Sequence, residues 1–327
     1  MKKQRFTGPL GSWIKKHLAL RRSLGFIYKA AEYNLDEFDQ YLNEHFAGCK
    51  TISREMVIGF LDSKPQNSPK TKAQHITSLR QFCRFMFQFN TDTYIPEKRL
   101  LKPAKSEVEP YIFTEEEIKQ LICQAKNITV RGDTLLPHTY ATIIGLLWVT
   151  GMRIGEVVRL KIKDLDITDG IITVQQTKFF KSRIVPLSPS SNQALICYKK
   201  QRAIAGYSED PEATFFYNRR GKPCITATTP RTIKELIIRS GIKTVSGKIP
   251  RVHDIRHSFA TRWVLDFYRN NKDPTAYLPV LATYMGHANI ANTQVYLHPS
   301  IELLNLASQQ LQSYLNITLG EKNDEGQ

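Results

Sequence analysis

The chain has 327 residues, 41% of them hydrophobic, with 46 Lys and Arg against 30 Asp and Glu, a formal net charge of +16. That length accommodates two domains with cores of their own, and that composition excludes a disordered or fibrous chain. A charge of this size calls for a polyanionic partner, nucleic acid ahead of a membrane surface.

At the N-terminus, Met1-Lys2-Lys3 is not followed by an apolar segment, so no secretory signal is expected. Residues 12–47 and 52–90 carry apolar side chains at helical spacing. Leu35, Phe38, Tyr41, Leu42 and Phe46 form one stripe, and Ile76, Leu79, Phe82, Cys83, Met86 and Phe87 a second. Both stripes read as core. The bases interleaved with the second, Lys70, Lys72, Arg80 and Arg84, face either DNA or solvent. The first 105 residues hold 19 Lys and Arg against 9 Asp and Glu, so this third is the expected clamp on a phosphate backbone. Pro96, Pro103 and Pro110 interrupt the periodicity of residues 91–112, which predicts a basic linker. The expected boundaries are a helical domain over 1–105, a linker over 106–112 and a second domain over 113–327.

The second domain opens with a capping box, Thr114 and Glu117, that starts a helix. Residues 138–151 predict an apolar helix ending at Gly151, and residues 152–160 another. Ile171–Val174 and Arg183–Leu187 are strand-like and flank a turn around Lys178–Ser182. The remainder is helical, closing on an amphipathic tail, Ile301–Leu315. The fold class is therefore mainly α with a small antiparallel β-sheet. The longest apolar run, Ile143–Val149, is too short to span a bilayer. The five cysteines include no C-x-x-C pair, which fits a reduced, cytoplasmic protein without a structural zinc.

Six residues carry a chemical pattern. Arg153 and Arg256 suit a phosphate clamp, because a planar guanidinium meets two oxygens and keeps its charge. His253 lies one helical turn before Arg256, on the same face, and could move a proton or hold the phosphate. Lys178, in the turn between strands, could protonate a leaving 5′ oxygen. Tyr296 is a phenol that becomes a nucleophile once its proton is taken and the phosphate is neutralised. His287 precedes it by nine residues, roughly 13 Å along a continuous helix. The chain must therefore turn between them, with Gly286, Asn289 and Asn292 placed to allow it. Taken singly, each of these residues is more often structural; the set and its order are what signify.

That order resembles the tyrosine recombinases, also called phage-type integrases, over about residues 112–315. The strings that carry the resemblance are Thr150-Gly151-Met152-Arg153-Ile154-Gly155-Glu156, Thr177-Lys178 with Lys181–Leu187, His253-Asp254-Ile255-Arg256-His257-Ser258-Phe259-Ala260-Thr261, and Met285-Gly286-His287 with Tyr296. The resemblance implies a helical core-binding, SAM-like domain followed by a catalytic domain. It implies Arg153 and Arg256 as clamp, Lys178 as general acid, His253 and His287 as partners of the phosphate, Tyr296 as nucleophile and Glu156 as support from behind. The implied activity is site-specific recombination of double-stranded DNA through a 3′-phosphotyrosyl link, without metal or other cofactor, in the integration, excision or transposition of a mobile element. Relaxation of DNA in the manner of a topoisomerase and non-catalytic DNA binding are the alternatives. The resemblance also implies a homotetramer on paired sites. The tail packs either on its own domain or, exchanged between protomers, on a neighbour. Two departures stand out: an inserted loop at Asn270–Pro274, and Phe179-Phe180 where a glycine often follows the lysine.

Overall fold

The computed structural model describes residues 5–26, 28–101, 110–129, 135–175, 182–270, 272–287 and 289–294. The chain divides into two compact units, residues 1–108 and 109–327.

The first unit is helical: α1 (Gly11–Ser23), α2 (Lys29–His45), α3 (Arg54–Asp62) and α4 (Pro69–Phe87). Local chemistry sets the starts of two of them. The Ser53 hydroxyl accepts from the Met56 N–H at 3.3 Å, and the Ser68 hydroxyl accepts from Thr71 at 3.1 Å ahead of Pro69 in the first turn. The core joins Leu35, Phe38 and Leu42 of α2, Phe60 of α3 and Leu79, Phe82 and Met86 of α4. Phe38 packs edge-on against Phe60 with ring centroids 5.2 Å apart. Two expectations need correcting. Phe87 is exposed, because Met86 takes the inward position at the end of α4. Arg80 is drawn onto the chain itself, donating from Nε to the Pro96 carbonyl at 2.7 Å and from Nη2 to that of Glu97.

The second unit contains α5 (Glu115–Lys126), α6 (Leu136–Thr150), α7 (Ile154–Val157), β1 (Leu165–Asp166), β2 (Ile171–Val174), β3 (Arg183–Pro186), α8 (Pro189–Ile204), α9 (Thr229–Arg239), α10 (Val252–Arg269), α11 (Pro274–Met285) and α12 (Ala291–Gln294). The strands form one antiparallel sheet in the order β1-β2-β3, with Thr173 opposite Ile184 and Val174 opposite Arg183. Helix α6 is the apolar centre. Its Ile143, Ile144 and Leu147 share a core with Val157, Ile172, Val185, Phe216, Ile233 and Ile255. A smaller cluster, Ala260, Val264, Leu281 and Met285, packs α10 on α11. The Ser258 hydroxyl accepts from the Phe113 N–H at 2.8 Å, fastening the start of this unit to α10.

The helix expected over 152–160 shrinks to the four residues of α7. Met152 and Arg153 precede it, and the N–H groups of Arg159 and Leu160 reach back only three residues, which closes the turn instead of extending it. In the expected Asn270–Pro274 loop, Asp273 accepts from Thr275 at 2.8 Å and Pro274 opens α11. Lys178, Phe179-Phe180, Tyr296 and the tail lie outside the described residues. Among the described residues no helix is long and apolar enough to cross a membrane.

Truncating Phe38, fully buried against Phe60, to alanine should cost about 3–5 kcal/mol of stability in the first unit. Thermal unfolding followed by circular dichroism checks this. A midpoint unchanged from wild type would contradict the packing described.

Candidate active site

Helix α6 ends at Gly151, which adopts φ +58° and so admits no ordinary side chain without strain. A Cβ there would also lie 2.3 Å from the Phe259 ring of α10. The turn delivers Arg153 to the N-cap of α7. Its backbone N–H donates to Glu156 Oε2 at 2.9 Å, and its Nη1 donates to Oε1 at 3.0 Å. The motif residue Glu156 thus holds the motif residue Arg153.

Glu156 is itself buried and shared. From β3, Arg183 donates Nη1 to Oε1 at 3.1 Å and Nη2 to Oε2 at 2.7 Å. Burial alone would raise the Glu156 carboxyl. The bonds and charge of Arg183, then those of Arg153, outweigh it and hold the pKa at about 2.

Helix α11 supplies the meeting point. It ends at Gly286, φ +68°, with the Gly286 N–H donating to the Thr283 carbonyl and the His287 N–H to that of Ala282, a Schellman closure. Helix termini leave backbone carbonyls without partners and carry partial negative charge. Here the carbonyls of three successive residues each take a different arginine. Tyr284 accepts from Arg183 Nε at 2.7 Å, Met285 from Arg256 Nη2 at 2.8 Å and Gly286 from Arg153 Nη2 at 3.0 Å.

Arg256 rises from the second turn of α10, whose start Asp254 caps through the Arg251 N–H at 2.8 Å. It is only 2% exposed, and its Nη1 donates to the Gly151 carbonyl at 2.6 Å. It therefore joins the end of α6 to the end of α11. Arg153, by contrast, keeps 39% of its side chain exposed.

His287 follows Gly286 directly. Its Nε2 lies 2.8 Å from Arg256 Nη2, and its Nδ1 lies 2.7 Å from the Thr293 hydroxyl of α12. A guanidinium only donates, so Nε2 accepts and the ring proton sits on Nδ1, directed at Thr293. Burial first, then the charges of Arg256, Arg153 and Arg183 and His253 beside them, lower the His287 pKa to about 4, so the ring is neutral near pH 7. His253 is exposed at the surface of α10 and packs edge-on to His257, ring centroids 5.0 Å apart. Loss of water around the ring lowers its pKa first, followed by the charges of His257, Arg256 and Arg251, with Asp254 opposing.

Of the six residues predicted, the structure brings together Arg153, Arg256 and His287, with His253 one turn from Arg256. The chain does turn between His287 and α12, and the Asn289 side chain accepts from the Ala291 N–H at 3.0 Å. Lys178 and Tyr296 lie outside the described residues. Arg183 and Thr293 were missed. Arg183 had a signal: in a strand it shares a face with Val185 and Leu187, an arginine at an inward position. Thr293 had none beyond its place between His287 and Tyr296. Among the described residues no group of three or more His, Cys, Asp or Glu could hold a metal ion.

The depressed Glu156 carboxyl contributes stability that is present above its unfolded pKa of about 4.3 and is lost as the pH falls toward 2, about 3 kcal/mol in full. His287, also depressed, removes stability as the pH falls from about 6.5 toward 4, because the unfolded ring takes the proton first. The unfolding midpoint should therefore drop continuously on acidification from pH 7 to pH 3. A Glu156→Gln variant should start lower and lose less between pH 5 and pH 3. Equal slopes for the two proteins there would contradict this account.

Comparison with known proteins gives these features a lineage. The phage integrase family matches residues 112–302. A protein of Sinorhizobium fredii named "Putative integrase/recombinase y4rB" is 31% identical over 302 residues, spanning 91% of this chain and 96% of its own. Tyrosine recombinase XerD of Oceanobacillus iheyensis is 29% identical over 271 residues, 81% of this chain and 84% of its own. The fold also matches the Tn1549 transposon integrase, solved in complex with transposon right end DNA, with a TM-score of 0.65 at 19% identity over 92% of this chain and 99% of that one. The chain belongs to the phage integrase family of tyrosine recombinases.

Proposed function

We propose that this site-specific recombinase cuts and rejoins double-stranded DNA with Tyr296 as the nucleophile. The observation that carries the reading is the convergence of Arg153 and Arg256 on one helix end, with His287 at 2.8 Å from Arg256 and Glu156 behind Arg153.

The chemistry follows from the charge that the reaction builds. Attack of a phenolate on a phosphodiester places extra negative charge on the non-bridging oxygens. Arg153, the exposed guanidinium, meets those oxygens, and Arg256 adds fixed positive charge from beneath. His253, neutral near pH 7, takes the phenolic proton. His287 hydrogen-bonds the phosphate by donating from Nε2, which requires the ring to leave Arg256 and to carry a proton on Nε2, by a change of tautomer or by taking up a second proton. The Tyr296 oxygen becomes bonded to the 3′ phosphate, and the bond to the 5′ oxygen breaks as Lys178 protonates it. A 5′ hydroxyl from a partner strand then attacks the phosphotyrosyl link and releases the tyrosine. The bond energy is kept in the link, so no ATP is consumed. The arginines supply the phosphate neutralisation that Mg²⁺ provides in many phosphoryl-transfer enzymes.

The finer parts of the reading follow from the family. Residues 1–105 form the core-binding domain that grips the phosphate backbone, and residues 113–327 carry the chemistry. Four protomers hold two duplexes, and the tail Ile301–Leu315 passes to a neighbour, tying Tyr296 to assembly. The protein works in the cytoplasm on a mobile element.

A nicked suicide substrate, built from the DNA that flanks the protein's own gene, tests this. Wild type should form a covalent adduct in excess EDTA, and Tyr296→Phe should bind the same DNA without forming one. An adduct that persists in Tyr296→Phe would refute the nucleophile, and complete loss in EDTA would point to metal chemistry. Religation of the original strand alone would make the protein a relaxase. Binding should also fall by roughly a thousandfold or more between 50 and 200 mM salt, and a flat response would contradict a phosphate-dominated contact.

A further inference from the structure

We propose that Arg183 is a positioning residue of strand cleavage, fixing Arg153 and His287 in the geometry that receives the phosphate. The proposal rests on the reading above, in which those two residues hold the phosphate. Arg183 does not itself face a substrate. Its side chain is 8% exposed, and its Nε, Nη1 and Nη2 all donate within the protein. Two contacts matter. The paired bonds to Glu156 fix the carboxylate that orients Arg153. The Nε bond to the Tyr284 carbonyl fixes the last turn of α11, and the guanidinium lies so close to Gly286 that a Cβ there would come within 2.8 Å of Nη1. His287 is the next residue. One planar cation thus braces both neighbours of the phosphate site. A lysine could not, because an ammonium is a single point and cannot meet two carboxylate oxygens and a carbonyl in one plane.

A structural role alone would lower stability and binding together. A positioning role has a separate signature. Without Arg183, the Glu156 carboxylate keeps Arg153 as its one hydrogen-bonded cation among the described residues, with Arg159, Lys161 and Asp164 also lining its cleft. Its carboxyl then takes a proton at higher pH, and its hold on Arg153 weakens on acidification.

The test compares wild type with Arg183→Lys, Arg183→Gln, Glu156→Gln and the double variant R183Q/E156Q on the nicked suicide substrate. DNA binding and single-turnover cleavage are measured between pH 5 and pH 8. Binding should stay within about twofold of wild type, and the double variant should cleave no more than about twofold slower than the worse single variant. Cleavage by Arg183→Lys and Arg183→Gln should fall roughly a hundredfold, the loss that a misplacement of about 1 Å produces. Arg183→Gln should lose activity on acidification at a higher pH than wild type, and that dependence should vanish in the double variant. Near-normal cleavage by Arg183→Gln would overturn the proposal. So would losses that multiply in the double variant, or DNA binding that falls in step with cleavage. If wild type itself formed no adduct, the assignment of Tyr296 would fall, and this proposal with it.

Discussion

Three backbone carbonyls at the C-terminus of α11 organise the site. Tyr284, Met285 and Gly286 each accept from one arginine, and the three arginines come from distant parts of the sequence: β3, α10 and the start of α7. A helix end offers unpaired acceptors and a partial negative charge, and both suit a cation. The glycine is what makes the arrangement available. At φ +68° it turns the chain sharply enough to close the helix within one residue, and it leaves Arg183 room to lie against the backbone. The same closure sets His287 beside Arg256.

Gathering three guanidiniums in one place is costly unless negative groups offset them. The carbonyls contribute partial charge, and Glu156 contributes the one full carboxylate bonded to these arginines among the described residues. Among the described residues, three cations against one anion leave the site positive in its resting form. A phosphodiester entering it meets charge already in place, and the extra charge of the pentavalent state is stabilised without reorganisation. His287 fits this picture as a neutral ring. Its neighbours disfavour an imidazolium, and the Nδ1 proton is directed toward Thr293, on the short helix that leads to Tyr296.

Much of this was legible in the sequence because the informative residues sit at breaks in periodicity. Gly151 before Arg153 and Gly286 before His287 marked helix ends, and helix ends are where these side chains converge. The Thr114–Glu117 capping box and the Ile171–Val174 strand also appear where their local chemistry predicts. What was not legible depends on tertiary contact. Nothing in residues 152–160 themselves stops a helix there; pairing with a distant segment does, with the Phe215 N–H donating to the Leu160 carbonyl at 2.7 Å and the Ile162 N–H to that of Ala213 at 3.1 Å. Arg80 sits among bases on an amphipathic helix, but its partners are carbonyls sixteen and seventeen residues away. Arg183 stands out as an arginine at an inward strand position, but its part in the site shows only once Glu156 and Tyr284 are placed around it. Backbone carbonyls have no sequence signature at all, which is why the organising contact could not be read in advance.

The most direct measurement is a crystal structure of the covalent adduct trapped on nicked DNA. The account predicts the phosphotyrosyl phosphate within hydrogen-bonding distance, about 3 Å, of the Arg153 guanidinium, with Arg256 beneath it and the three carbonyl bonds at the end of α11 intact. A phosphate seated away from both arginines, in the same subunit and in every adjoining copy, would contradict it.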